Sequence, residues 1–403
     1  MKIPAIKKPV PETNSTIWFN IDDQKLRLVH TGAERLKALM EMLDQAQVCL
    51  KLFYYIFEDD YVGELVLGKL IAACERGVAV ELIIDSFGSS RTAKDFFAPF
   101  IKAGGRFAIF SPSFSTSYFV RNHQKMMIAD DQRALIGGFN IGDQYFHLAS
   151  EKTQLTEDEN RWDDLGLEIQ GTEVEKLAKY YQMLGNWVYE DNGNIRSLRK
   201  IIRNWESGND RFRWLLGGPS NRLSSWAWSI NKDLEKGQKL DLVAAYFSPG
   251  QGLLRRIARL SKRGGDSRII LPGKTDNAAT IGASRLLYGY LLNRNAQLYE
   301  YQKRRLHMKL VAIDDAVYIG SANFDLRSIF INVEMMLRVE DAKFARHVRQ
   351  QIDELLTDSE KITPTLHKSR LSFLNRFRWT LCYFVVNTLD YTVNRRLNFG
   401  IKK

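Results

Sequence analysis

The chain carries one string twice. HQKMMIADDQRALIGGFNIGDQYF occupies 123–146 and HMKLVAIDDAVYIGSANFDLRSIF occupies 307–330. Both read H-x-K-x-x-x-x-D and then, after a short gap, G-[GS]-x-N. The two histidines, His123 and His307, stand 184 residues apart. Solenoids repeat every ~20–50 residues, so a period this long points instead to two copies of one domain fused in a single chain. At roughly 150 residues per domain, a chain of 403 residues can bury a separate core in each copy.

The segments leading to each string support that division. Residues 25–57 read as a short strand, an amphipathic helix with Leu36, Leu39, Met40 and Leu43 at helical spacing, and a β-rich apolar run at 48–57. A helix over 62–77 is ended by Gly77, and VAVELIIDSFG (78–88) has the short apolar form of a strand buried on both faces. A further helix covers 93–103 and stops at Gly104-Gly105. The second half repeats the pattern. Residues 212–250 overlay on the first strand-helix-strand unit with Arg222-Leu223 on Arg35-Leu36, an offset of 187, followed by a helix at 251–263, a strand at 268–273 and a helical stretch at 277–292. This alternation predicts an α/β fold, each copy a mostly parallel sheet flanked by helices. The expected divisions are an N-terminal arm (1–24), a first domain (25–195), a second domain (196–365) and a C-terminal tail (366–403). The joint falls in the polar, basic stretch 190–211, and the charged stretch 149–161 reads as a surface loop.

Charge and composition narrow the partners. Lys and Arg exceed Asp and Glu by +11, which suits an anionic partner, either nucleic acid or a membrane surface. Cys49, Cys74 and Cys382 form neither a disulfide framework nor a C-x-x-C knuckle, which points to a reducing compartment. The N-terminus has no apolar signal core, and no run of about 20 apolar residues occurs to span a bilayer. With 27 Gly but 9 Pro, collagen-like and Pro-rich architectures are excluded.

The repeated string has a chemical logic. His and Lys at i and i+2 on a strand project from the same face, so each copy sets an imidazole beside an ammonium. The strand then reaches an Asp-Asp turn, and the returning segment ends in small residues. Gly138 and Ser321 sit where backbone N–H groups can approach an anion, and Asn140 and Asn323 add amide donors. Two copies facing each other would supply two His, two Lys and two Asn around one point. That is a phosphate-shaped site needing no metal and no cofactor, with two groups able to act as nucleophile and acid/base. No His/Cys/Asp/Glu cluster has zinc-ligand spacing. The other histidines, His30, His147, His347 and His367, match no such pattern and read as structural or surface residues.

This doubled pattern resembles the phospholipase D superfamily, the H-K-D enzymes, over about residues 25–360. YYIFEDDYVGELV (54–66), GGFNIGDQYF (137–146), RWDDLGLEIQG (161–171), AAYFSPG (244–250) and GSANFDLRSIFINVE (320–334) are similar to the bacterial cardiolipin synthase branch. Two departures stand out. The gap from Asp to Gly is six residues in the first motif (131–136) and five in the second (315–319), and 162–164 reads W-D-D where the branch usually has Trp-Arg-Asp. The resemblance implies two phospholipase D-like domains related by a pseudo-twofold, with the active site at their interface. It implies a two-step phosphatidyl transfer, with His123 as nucleophile and His307 as acid/base. Lys125, Lys309, Asn140, Asn323, Gly138 and Ser321 hold the phosphate, and Asp164 and Glu334 orient the histidines. The motif aspartates Asp130 and Asp314 either act in catalysis or stabilise the turn. The implied donor is a glycerophospholipid such as phosphatidylglycerol and the acceptor an alcohol. The expected place is the periphery of the cytoplasmic face of the bacterial cell membrane. Rival readings are a hydrolase in which water is the acceptor, a phosphodiesterase acting on DNA or RNA, and a non-catalytic binder of anionic lipid. No basic-aromatic module for nucleic acid is present, so no nucleic-acid partner is expected.

The tail 368–403 carries eight Lys/Arg, one acid (Asp390) and seven aromatics. It reads as an interfacial helix on anionic lipid, as a helix packed on the protein's own core, or as a basic tail for nucleic acid.

Overall fold

The computed structural model describes residues 17–112, 120–146, 161–190, 194–208, 211–220 and 222–389. The N-terminal arm up to residue 16, most of the charged stretch at 149–161, His147 and the tail from 390 lie outside the described residues. The chain divides into two compact units, Met1–Asn204 and Trp205–Lys403.

Eight strands of the first unit form one sheet. They are β1 (Phe19–Ile21), β2 (Gln24–Val29), β3 (Cys49–Tyr54), β4 (Ala79–Asp85), β5 (Arg106–Phe110), β6 (Lys125–Ala129), β7 (Arg133–Gly137) and β8 (Gly166–Gln170). Their order is β1-β2-β8-β7-β6-β3-β4-β5. The helices are α1 (Gly32–Gln45), α2 (Tyr61–Glu75), α3 (Ala98–Lys102), α4 (Asp143–Phe146), α5 (Glu173–Glu190) and α6 (Ile195–Arg203). A capping box starts α1: Thr31 Oγ1 accepts from Glu34 N at 3.1 Å and Glu34 Oε2 accepts from Thr31 N at 3.0 Å. The apolar stripe of α1 (Leu36, Leu39, Leu43) and Leu65 and Leu70 of α2 pack on Leu50, Leu52 and Leu82 of the sheet. Each fully buried Leu contributes about 1.5–3 kcal/mol. On the opposite face Trp187 of α5 packs on Phe110, and Phe110 on Phe53.

The second unit repeats the plan with β9 (Phe212–Gly217), β10 (Lys239–Ala244), β11 (Asp266–Pro272), β12 (Gln297–Tyr301), β13 (Lys309–Ile313), β14 (Ala316–Gly320), β15 (Glu334–Glu340) and β16 (Ser359–Ile362). Their order is β9-β15-β14-β13-β10-β11-β12-β16. Its helices are α7 (Ser225–Lys236), α8 (Gln251–Lys262), α9 (Ala278–Leu292), α10 (Leu326–Phe330), α11 (Ala342–Thr357), α12 (Pro364–Arg370) and α13 (Phe373–Tyr383).

The α/β class, the repeat and the flanking helices match the sequence reading, but each sheet is mixed rather than mostly parallel. Parallel pairing is confined to β3–β4–β5 and β10–β11–β12, the segments joined through helices. Every other pair is antiparallel. The cause is connection length. The motif strands β6–β7 and β13–β14 are joined by two or three residues, and only an antiparallel hairpin can close over so short a link. Ala129 pairs with Arg133 and Ile313 with Ala316, so the first hairpin loop has one residue more than the second. That extra residue accounts for the unequal gaps in the two motifs. The overlay of Arg35 on Arg222 also needs correction. Arg35 is fully buried within α1, whereas Arg222 is exposed in a longer loop before α7.

Candidate active site

The first His-Lys pair sits at the carboxyl end of the parallel strands, the side on which open α/β sheets bind ligands. Lys125 opens β6 opposite Tyr54, the last residue of β3. The segment before it is tied down by Asp85 at the end of β4. Asp85 accepts from Phe87 N (2.9 Å) and Gly88 N (3.0 Å) through one oxygen and from Asn122 N (2.8 Å) through the other. Asn122 immediately precedes His123, so β4 positions the imidazole. Burial pushes the Asp85 carboxyl up to about 6, against the pull of those three donors. Lys125 is 2% exposed, and its ammonium donates to the His123 carbonyl. Tyr55 stands beside the pair. Its ring lies 4.8 Å from the His123 ring, edge-on, and 4.9 Å from Lys125 Nζ. A ring face attracts a cation, so the Tyr55 ring adds to the hold on the ammonium.

After the hairpin, Asn140 is buried with Oδ1 accepting from Ile56 N (3.1 Å) and Nδ2 donating to Tyr145 Oη (2.9 Å). Gly138 lies against the buried Asp164. A Cβ at 138 would come 2.5 Å from Asp164 Oδ1, so only glycine fits. Leu165 N donates to that same carboxylate oxygen at 2.7 Å. Arg35 staples these loops together. It is fully buried and donates to the carbonyls of His30 (2.8 Å), Asp164 (2.5 Å) and Tyr145 (2.5 Å).

The second half-site follows the same plan. Lys309 opens β13 opposite Ala244, the last residue of β10. It is 2% exposed and donates to the His307 carbonyl. Glu334, fully buried, accepts from Ser321 Oγ (2.5 Å) and Ser328 Oγ (2.8 Å), and Ser321 Oγ accepts from Met335 N (3.1 Å). Asn323 is buried beside it in sequence, two residues after Ser321. The halves are not identical. The bridges Phe57–Ile141 and Phe247–Phe324 make Tyr55 and Ala245 equivalent, so the position that carries the ring beside His123 is an alanine in the second unit.

Asp130 and Asp314 do not join these groups. Each lies at the far end of its motif strand, roughly 16 Å from the His-Lys end. Asp130 accepts from Gln47 N (3.0 Å), Val48 N (2.7 Å) and Cys49 N (2.9 Å), and Asp314 from Gln238 N (3.0 Å) and Lys239 N (2.9 Å). Both have positive φ, 53° and 47°, the left-handed conformation that Asp tolerates in tight turns. Burial works against the Asp130 carboxylate, yet its backbone donors win and hold its pKa below the ordinary value. The geometry gives this pair a structural job, tying the hairpin to the start of the neighbouring strand. His30 and His367 are likewise structural: one lies 3.3 Å from Glu34 and the other stacks on Trp379.

Arg35, Asp85, Tyr55 and Ser328 were not singled out from sequence. Asp85 had a visible signal, a carboxylate closing an apolar strand before a turn. Arg35 and Ser328 had none, since an Arg on an amphipathic helix and a Ser after a motif are ordinary.

A carboxylate cluster braces the loop beyond Asn140. Asp60 accepts from Gly63 N (2.9 Å) and Asp143 N (2.5 Å), and Asp143 accepts from Val62 N (2.8 Å). Burial first, and then Asp60 and Asp143, push the Glu58 carboxyl up to about 7. A folded-state pKa above the unfolded value means the native state holds the extra proton. The stabilisation from Glu58 is therefore present below about 4.5 and lost as pH rises through about 7. Glu58→Gln keeps the neutral form at all pH. It is expected to raise stability at pH 8 by about 2 kcal/mol relative to its effect at pH 5. Denaturant melts at both pH values check this, and an equal effect at both refutes the raised pKa.

The family model described as cardiolipin synthase, PLD-like domain, matches the chain twice, over residues 39–170 and 231–356. Cardiolipin synthase of Listeria welshimeri is 28% identical over 356 residues, covering 86% of this chain and 72% of the relative. Cardiolipin synthase 1 of Bacillus cereus is 28% identical over 355 residues, covering 85% and 68%. Among solved structures, phosphatidylserine synthase of Haemophilus influenzae aligns with a TM-score of 0.72 at 16% identity, over 92% of this chain and 94% of that one, which is a likeness of fold. The two family matches enclose the two His-Lys half-sites. The chain belongs to the cardiolipin synthase family of phospholipase D-like proteins and is an enzyme of their phosphatidyltransferase class.

Proposed function

We propose that the chain moves a phosphatidyl group from a glycerophospholipid, with phosphatidylglycerol the favoured donor, to an alcohol acceptor through a covalent phosphohistidine, both half-sites acting on one phosphate. The observation that carries this reading is the doubled arrangement of a buried His-Lys pair with a buried carboxylate held against a Gly or Ser. A phosphodiester needs two different services, a nucleophile at phosphorus and a proton for the leaving alcohol, and two half-sites can divide them. In the first step a His123 ring nitrogen bonds to phosphorus, the P–O bond to the leaving alcohol breaks, and His307 gives that oxygen its proton. In the second, His307 takes the proton of the acceptor hydroxyl, its oxygen bonds to phosphorus, and the P–N bond breaks. Lys125, Lys309 and the amide donors of Asn140 and Asn323 balance the charge on the non-bridging oxygens, whereas Gly138 N and Ser321 N, expected from the sequence to share that task, already donate to the Leu165 (3.4 Å) and Met335 (2.9 Å) carbonyls. Asp164 and Glu334 set the orientation of the histidines and stabilise imidazolium.

The substrate places the enzyme at a bilayer surface, and we assign it to the periphery of the cytoplasmic leaflet. The excess of +11 suits anionic headgroups. Among the described residues no helix is long and apolar enough to cross a membrane.

The test is product analysis. Purified full chain, incubated with mixed phospholipid vesicles and free glycerol, is expected to yield new phosphatidyl esters by lipid mass spectrometry, with or without a strong chelator. Phosphatidic acid alone makes the enzyme a hydrolase. Cleavage of DNA or RNA with no lipid product makes it a nuclease. Loss of turnover on metal removal, restored by one specific metal, overturns the metal-free mechanism.

A further inference from the structure

Helix α13 continues into a π-helical turn to Leu389, and the two together have opposed faces. One face is anchored. Trp379 is 2% exposed and stacks on His367 at 5.9 Å, Tyr383 joins the core of the second unit, and Cys382 rests on α9. There Gly282 makes the room, since a Cβ would lie 2.8 Å from Cys382 Sγ. The other face is bare. Phe373, Leu374, Phe377, Leu381, Phe384 and Val385 are 89, 73, 62, 52, 46 and 42% exposed. At about 100° per residue they share an arc of about 120°, with Arg376 at one border and Arg378 at the other. Both arginines are exposed, whereas Arg370 is bound to Glu300 and Glu360. No acidic residue occurs between Glu360 and Asp390.

We propose that this ridge docks the enzyme on an anionic phospholipid bilayer, with α13 lying in the plane of the interface. The proposal rests on the reading that the substrate is a membrane phospholipid. Apolar side chains along one arc, bordered by cations and free of acids, fit the boundary between acyl chains and phosphates. A second copy fits poorly. An isologous contact would bring Arg376 and Arg378 against their own symmetry mates with no carboxylate on the helix to compensate. The anchored face holds the ridge already folded, so docking carries little ordering cost.

Flotation of the full chain with phosphatidylcholine vesicles, with and without phosphatidylglycerol, tests this. Phe377→Glu/Leu381→Glu is expected to weaken binding to the mixed vesicles by about tenfold or more, and raised salt should mimic part of the loss. Arg376→Gln/Arg378→Gln leaves the ridge intact and is expected to remove most of the preference for phosphatidylglycerol. Both variants alter exposed side chains, so melting temperature and turnover on a dissolved short-chain phosphatidylglycerol should match wild type. Wild-type vesicle binding by Phe377→Glu/Leu381→Glu overturns the proposal. So does light scattering that shows a wild-type dimer turned into a monomer by that variant. A wild-type protein that binds vesicles through the ridge but turns over no phospholipid in any form overturns the catalytic reading and leaves the docking surface standing.

Discussion

His123→Ala is expected to abolish both turnover and covalent labelling, a loss on the order of 10⁴-fold or more, if His123 is the nucleophile as proposed. His307→Ala should cost as much with natural lipids, whose alcohols leave poorly without a proton. The two variants separate on a substrate with an activated phenolate leaving group, where protonation matters less. There His307→Ala should still become labelled, and the adduct should persist because nothing activates the acceptor. Acid quenching and peptide mass spectrometry locate the label. A label on His307 that survives His123→Ala reverses the two roles. Failure to trap one on either histidine, in any variant, removes the covalent mechanism. Both imidazoles are nearly buried, at 9% and 5% exposure, so hydroxylamine or imidazole added to His123→Ala offers a check by rescue with a small nucleophile.

Lys125→Met and Lys309→Met should each lower kcat by about 100-fold, or about 3 kcal/mol, with a smaller change in KM. Charge on the non-bridging oxygens grows towards the transition state, so an ammonium aimed at them acts mainly there. Met preserves the length of the stem and removes only the charge, so a circular-dichroism melt of each variant checks that the fold is kept. Arg should not rescue, because a longer, planar guanidinium does not fit the buried place of a compact ammonium that donates to the histidine carbonyl. An equal loss in KM and none in kcat would make the lysines binding residues only.

The repeat, the α/β class and the His-Lys pairs were legible in the chain because each is local. An i, i+2 pair on a strand needs no partner to show its shared face, and in each motif an Asp-Asp pair followed by a returning apolar segment marks the hairpin. The apolar stripe of α1 and its Thr31–Glu34 capping box are likewise contained within one turn or two of chain. What tertiary structure alone decided depends on residues far apart. Arg35 reaches the Tyr145 carbonyl across 110 residues of chain, and Asp85 reaches Asn122 across 37. Such contacts exist only once the sheet order is set, and that order follows from which links are short enough to force an antiparallel turn. Asp130 belongs to the motif as written, yet folding carries it to the opposite end of β6 and gives it three backbone N–H groups to hold. The tail shows the same division. Its aromatic and basic composition was readable, but which aromatics turn inward was not, because that depends on the gap Gly282 leaves on a helix some 100 residues earlier.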